Sequence, residues 1–518
     1  MEMLHRLPGY AVAGHAARTI EAMVRTAVGR CRCCITTRPS FARAAALRAA
    51  SVLAIGHPTI PAVALIPLVL WSVGALGVPR PAAPLLVTVG DVTDTTAVLW
   101  VRGPSAAPTT VELLGGDGTV SRTVAIEPSE ARDLTGRASI GALAPGTRYQ
   151  YRVRAGGSTV TGRFVTAPAA DRTLPLRLAW SADLGARGFC RHTDTGYVVF
   201  DAMAARRPDR FLFLGDTIYA DHRCRGNAVA PGGDFVARTL SGFHAKHRYN
   251  REDPAVQRFL RDTAVWVTWD DHEVRSNFAG PAESLMPVGR QAFLDYWPID
   301  APPGDATRLY RRFRHGTLAE IFILDTRQYR TENCHRDGPD KTMLGHRQRQ
   351  WLIEGLAASR AVWKLVASSV PLSIPKAWPC GDSWAPRDLG LLATGFAWER
   401  DAILLAARRH GVANVVFLAG DVHFALVAAH EPWPGFRVHE LIAGPLAARP
   451  ERARPPDGTL GSRVLFSAEG VATFGELEID ANGLTARILD GAGAVLATER
   501  LAPMGGAEVG LLEGRSHR

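Results

Sequence analysis

Seven apolar runs of five or six residues recur between residues 176 and 443 (LRLAWS, RFLFL, AVWVT, EIFIL, WKLVAS, NVVFLA and VHELIA), with helical stretches between several of them. Continuous apolar runs are what strands covered on both faces require, so the pattern predicts an α/β layered region. The helices are punctuated accordingly: Asp253 then Pro254 opens one and Gly411 follows another. In such layers reactive side chains stand just beyond strand C-termini, in loops whose positions the strands fix.

Four of the runs are followed by aspartates. LRLAWS leads to Asp183, RFLFL to Gly215-Asp216-Thr217-Ile218-Tyr219-Ala220-Asp221, AVWVT to Trp269-Asp270-Asp271-His272-Glu273, and NVVFLA to Gly420-Asp421-Val422-His423. One such carboxylate alone is explained as a helix cap or a solvated loop residue. Four converging without a cation would raise one another's pKa and destabilise the fold. Sorted by donor, Asp183, Asp216, Tyr219 and His423 make a mixed oxygen and imidazole set, and Asp216, Asp271 and Asp421 make an all-oxygen set. The shared Asp216 suits two metals held about 3.5–4 Å apart for displacement at phosphorus. A phenolate favours a trivalent ion, so Fe³⁺ is expected in the first set. The second suits Ca²⁺, with Mg²⁺ or Mn²⁺ as alternatives.

Residues 85–168 read differently, as seven short strands separated by Gly, Asp, Ser and Pro turns, which predicts a small fibronectin- or immunoglobulin-like β-sandwich. Tyr149, just after Pro145-Gly146, is placed for a tyrosine corner. The expected catalytic region is 176–501, closed by antiparallel strands around an Asn482-Gly483 turn, and 502–518 is expected to be a disordered tail.

Ahead of the sandwich, an Arg-rich region (1–50) precedes an uncharged stretch (51–79) whose residues 60–78 could span a bilayer core. It predicts a signal sequence or a transmembrane anchor, with everything after Arg80 exported to the periplasm, the exterior or the cell envelope. Four cysteines follow it, and their order favours Cys190 with Cys224 and Cys334 with Cys380 as disulfides, though three pairings are open. The net charge of +10 is concentrated in the first fifty residues, and only four of 60 basic residues are lysines. That gives weak support to an extended basic groove, so no nucleic-acid-binding module is expected, and a monomer is expected.

GDTIYAD, WDDHEVRSN, ILDTRQYR, TMLGHRQRQWL and LAGDVHFA together resemble the PhoD-type alkaline phosphatases, a branch of the calcineurin-like metallophosphoesterases. The resemblance implies a double-β-sandwich core flanked by helices, and an exported phosphodiesterase and phosphomonoesterase using metal-activated hydroxide at an Fe³⁺/Ca²⁺ centre. It also implies that Asp216 bridges the metals, that Tyr219 and His423 serve iron, that Asp271 and Asp421 serve calcium, and that His272 protonates the leaving oxygen or stabilises phosphoryl charge. The PhoD type commonly has a Ser-Cys motif after the first strand, where this chain has Ser181-Ala182-Asp183. The DLG triplet resembles the first metal motif of purple acid phosphatases, which assigns Asp183 to iron. Arg275, three residues after His272, is the arginine expected to grip phosphate. Asp270 and Glu273 are read as acceptors orienting His272 or as caps, and Asn277 as a calcium oxygen or a turn residue. Alternatives in substrate or class are a phospholipase D-like secreted phosphodiesterase and a degenerate hydrolase serving as an envelope binding protein.

Overall fold

The computed structural model describes residues 83–115, 117–377, 379–387 and 393–504. The Arg-rich region and the apolar stretch 60–78 lie outside the described residues, and so does most of the expected tail. Among the described residues no helix is long and apolar enough to cross a membrane.

The first seven strands are β1 (Leu86–Gly90), β2 (Ala97–Arg102), β3 (Thr109–Leu114), β4 (Val120–Ile126), β5 (Thr135–Ile140), β6 (Arg148–Ala155) and β7 (Ser158–Val165). They enclose one apolar core that includes Val87, Leu99, Val111, Tyr151, Val153 and Phe164. The Tyr149 hydroxyl accepts the Ala144 N–H at 2.8 Å, tying the turn back onto its strand as a tyrosine corner does.

One half of this sandwich is not self-contained. Strands β3, β4, β6 and β7 form a four-stranded sheet, whereas β1, β2 and β5 extend a nine-stranded sheet with β8 (Leu176–Ser181), β9 (Arg210–Leu214) and β10 (Ala264–Thr268). The join is parallel pairing of β1 with β10 at Gly90 and Val265. Local periodicity carries no signal for it, because the partners lie far apart in the chain. Helices α1 (Val199–Arg206), α2 (Leu240–Arg251) and α3 (Pro254–Asp262) intervene. Arg251, at the end of α2, reinforces the join. Its guanidinium lies 4.2 and 4.6 Å from the ring centroids of Trp100 and Trp297 and donates to Thr88 Oγ1 and the Tyr296 carbonyl.

After α4 (Met286–Tyr296) the second large sheet is built from β11 (Arg311–His315), β12 (Ala319–Ile323), β13 (Trp363–Ala367), β14 (Val415–Ala419), β15 (Ala425–Trp433), β16 (Phe436–Ile442) and β17 (Ser462–Ala468). Helices α5 (Gly345–Ala358) and α6 (Ala397–Arg409) belong to this half, and β18 (Thr473–Asp480), β19 (Gly483–Asp490) and β20 (Val495–Leu501) return to the first sheet. The inner faces meet in a core of Leu178, Trp180, Leu212 and Trp266 against Ile321, Leu365, Val416 and Leu441. The helices cover the outer faces. Phe211 and Phe213 pack under Phe200, Phe259 and Phe293, while Phe322, Val366 and Phe417 pack under Leu352, Leu356, Ile403 and Leu404. The result is a helix–sheet–sheet–helix sandwich, as the resemblance implies. The expected punctuation is present: Asp253 accepts the Ala255 and Val256 N–H groups at the start of α3, and Gly411 takes a positive φ of 62° just past α6.

Gly475 of β18, directly opposite Trp180 of β8 in the first sheet, shows how tightly that sheet's inner face is packed. A Cβ there would fall into the fully buried indole of Trp180. Gly475→Ala is expected to destabilise the protein by about 1–3 kcal/mol, the usual cost of overpacking, measurable as a lower urea midpoint with an unchanged slope.

A candidate dinuclear metal centre

The parallel strands β8, β9, β10 and β14 deliver their loops to one edge of the sandwich, and the carboxylates expected at their ends converge there. Carboxylate and imidazole atoms of Asp183, Asp216 and His423 lie within 4.8 Å of one another, and so do those of Asp216, Asp271 and His272, and those of Asp270, Asp271 and Asp421. Asp183, Asp216, Asp421 and His423 all hold positive φ angles, of 63°, 49°, 71° and 58°. Such left-handed backbone is strained for residues with a Cβ and is retained where the surroundings over-determine it. Gly215, at φ 103°, allows the Asp216 loop to pass directly against the Asp270 backbone.

Glu273 pins two of these loops together. Its Oε2 accepts the N–H groups of Asp216 (3.2 Å) and Asp270 (2.8 Å), and its Oε1 accepts the N–H and hydroxyl of Thr217. Burial pushes its carboxyl up to about 7.

On one side of Asp216, His423 Nδ1 faces the Arg449 carbonyl at 2.7 Å, so it is the protonated nitrogen. The Nε2 lone pair is therefore left toward Tyr219 Oη (3.2 Å) and Asp183 Oδ1 (3.6 Å). Burial lowers the His423 pKa to about 4, which keeps the imidazole neutral. On the other side, Asp271 Oδ2 accepts the Asn277 N–H at 2.6 Å, so Asn277 contributes backbone to the site. Four buried carboxylate oxygens in this small volume have no hydrogen-bond partner: Asp183 Oδ1, Asp270 Oδ2, Asp271 Oδ1 and Asp421 Oδ2. Orphaned carboxylate oxygens are costly unless a cation sits among them, so the donor set fits metal.

His272 is stacked on Tyr219 with ring centroids 4.3 Å apart, and its Nδ1 is 2.7 Å from Asp221 Oδ1. The Ser276 N–H holds the other Asp221 oxygen. Burial would lower the His272 pKa, but the Asp271 and Asp221 carboxylates overcome it and hold the pKa above the ordinary value. The Nε2 atom is thereby left to face the centre, 4.0 Å from Asp271 Oδ2.

Arg275 is placed elsewhere. Its side chain is 60% exposed and pairs with Glu283 at 3.0 Å. The arginine that reaches the carboxylates is Arg327 of the DTRQYR stretch, wholly buried, with Nε on Asp270 Oδ1 (2.6 Å) and Nη1 on Asp382 Oδ1 (2.8 Å). Lys376 also enters, bonded to Asp421 Oδ1 and 3.4 Å from Asp382 Oδ2. Lys376 and Asp382 sit in a loop whose course no sequence pattern dictates. The Cys334–Cys380 disulfide ties that loop to the one following β12, and Cys190–Cys224 is also formed.

Burial pushes the Asp183 carboxyl up to about 8, with Asp270 adding to it, and holds Asp216 and Asp421 well above their ordinary range. These groups titrate near 3.8 when unperturbed. Between about pH 4 and 8 these three carboxyls bind more protons in the cation-free folded chain than in the unfolded chain and so withdraw stability as pH rises. The buried His315, His423 and His439, which burial lowers to about 4, act in the opposite sense below about 6.5, so the net loss falls between about pH 6.5 and 8. Chelator-treated protein is expected to melt at progressively lower temperature from about pH 6.5 to 8, while protein supplied with cations does not. Parallel melting curves would contradict this.

A family model described as PhoD-like phosphatase matches residues 186–466, and one described as its N-terminal domain matches 76–168. Alkaline phosphatase D of Bacillus subtilis (strain 168) is 28% identical over a match covering 65% of this chain and 64% of that protein, so under two thirds of the relative's length is spanned. A solved structure described as PhoD aligns with a TM-score of 0.67 at 20% identity, over 82% of this chain and 94% of that one. The purple acid phosphatase PPD1 from yellow lupin (Lupinus luteus) seeds aligns with a TM-score of 0.56 at 13% identity, over 82% and 75%.

Proposed function

The chain belongs to the PhoD-like phosphatase family, and from that premise we propose that it is an exported phosphoric ester hydrolase acting on mono- and diesters at a two-cation centre. The observation that carries this reading is the set of four buried carboxylate oxygens without a hydrogen bond on Asp183, Asp270, Asp271 and Asp421. Asp183, Asp216, Tyr219 and His423 would hold Fe³⁺, and Asp216, Asp271 and Asp421, with the free oxygen of Asp270 beside them, would hold Ca²⁺ or another hard divalent ion. When bound, the two cations neutralise phosphoryl charge and lower the pKa of water. The chain's own part is positional: Glu273 fixes the spacing of the Asp216 and Asp270 loops, and Arg327 orients Asp270.

His272 is the general acid in this reading. Asp221 takes up its Nδ1 proton in a hydrogen bond, and the Nε2 proton is given to the departing alkoxide. Export is supported by the apolar stretch before the sandwich and by two disulfides, which persist in oxidising compartments. The division into a sandwich at 85–168 and a catalytic region at 176–501 belongs to the same reading, supported by the ranges of the two family matches.

The test is elemental analysis of purified protein beside hydrolysis of a chromogenic monoester and diester. Bound iron with a divalent ion is expected, with hydrolysis lost on chelation. A metal-free sample cleaving both esters at full rate would overturn the reading.

A further inference from the structure

Only four lysines occur in the chain, and one of them, Lys376, reaches the centre. Its ammonium bonds Asp421 Oδ1 and lies 3.4 Å from Asp382 Oδ2, with the side chain 18% exposed. Arg327 adds a second fixed charge, with Nη2 3.7 Å from Asp271 Oδ1 and 3.9 Å from Asp421 Oδ1. The other half of the centre differs. Among the described residues no lysine or arginine forms an ion pair with Asp183 or Asp216; His423 is 3.6 Å from Asp183, and the Lys376 charge acts on Asp183 only from beyond ion-pair range. The two halves therefore carry unequal electrostatic demand for a cation.

We infer that Lys376 is a resident cation that competes with the divalent ion of the all-oxygen half, making that ion weakly held and exchangeable while the ion of the Asp183–His423 half stays bound. The inference rests on the two-cation reading. An ammonium on one Asp421 oxygen leaves only the other for a metal and places a positive charge beside a second, divalent one. In a buried site that repulsion is poorly screened, and it weakens binding by about tenfold or more. The ammonium cannot leave freely, because Asp421 and Asp382 are what compensate its burial. The divalent ion has no such constraint. Its occupancy follows its concentration outside the protein.

Dialysis of the full purified chain is the first test: iron is expected to remain and the divalent ion to be lost. Retention of both overturns the inference without recourse to any variant. Calorimetric titration with Ca²⁺ alone is the second. Lys376→Gln is expected to bind Ca²⁺ about tenfold or more tightly than the parent, and Lys376→Arg, which keeps the charge, to bind it like the parent, with iron content equal in all three. Equal or weaker Ca²⁺ binding by Lys376→Gln at undiminished iron content overturns the inference. A parent chain that binds neither iron nor Ca²⁺ instead overturns the two-cation reading beneath it.

Discussion

Asp216→Asn is expected to lower hydrolysis of both a mono- and a diester by about a thousandfold or more and to lower the content of both metals. Asp216 shares one ligand-sized volume with Asp183 and His423 and a second with Asp271 and His272. Among the described residues it is therefore a carboxylate placed to serve as a ligand in both halves. The asparagine is nearly isosteric and leaves the Asp216 N–H bonded to Glu273, so the loop keeps its course. Elemental analysis with steady-state rates checks the result. A variant that kept both ions, or lost only one, would show that the halves are not joined through Asp216.

His272→Ala should separate chemistry from metal binding. Loss of a general acid typically costs about 10²–10⁴ in turnover, whereas iron and the divalent ion should stay near parental content, since the ligand atoms of Asp183, Asp216 and His423 cluster without it and so do those of Asp270, Asp271 and Asp421. Asp221→Asn adds a pH signature. Asp221 and Asp271 hold the His272 pKa up against burial, so removing one of these charges moves the alkaline limb of the kcat profile to lower pH. A limb that stayed in place would detach His272 from it. Full turnover in His272→Ala would remove the residue from the mechanism.

The strand-end rule explains why so much of the centre is legible in the sequence. A buried parallel strand announces itself as an apolar run, and Asp183, Asp216, Asp271 and Asp421 each stand within a few residues of the end of one. Tyr149 is legible for a similar reason, since a tyrosine after a Pro-Gly turn has a nearby N–H to satisfy it. The features that escape are long-range or irregular. Arg275 has the right spacing from His272, but Glu283 neutralises it at the surface. Arg327 looks like any other arginine until its burial against Asp270 and Asp382 is known. Lys376 and Asp382 belong to a loop without periodicity, and the pairing of β1 with β10 joins segments whose patterns would fit separate sheets equally well.

That pairing limits how evolution or an engineer can recombine the molecule. Deleting the first seven strands would strip β10 of its neighbour and lay open a bare, apolar sheet margin, a ready seed for self-association. It would also uncouple Arg251 from Trp100 and Thr88. The preceding residue, Asn250, grips the Thr217 carbonyl beside Asp216. The front of the chain is thus part of the frame on which the hydrolase is strung, and swapping it for another β-module would demand re-fitting this seam residue by residue.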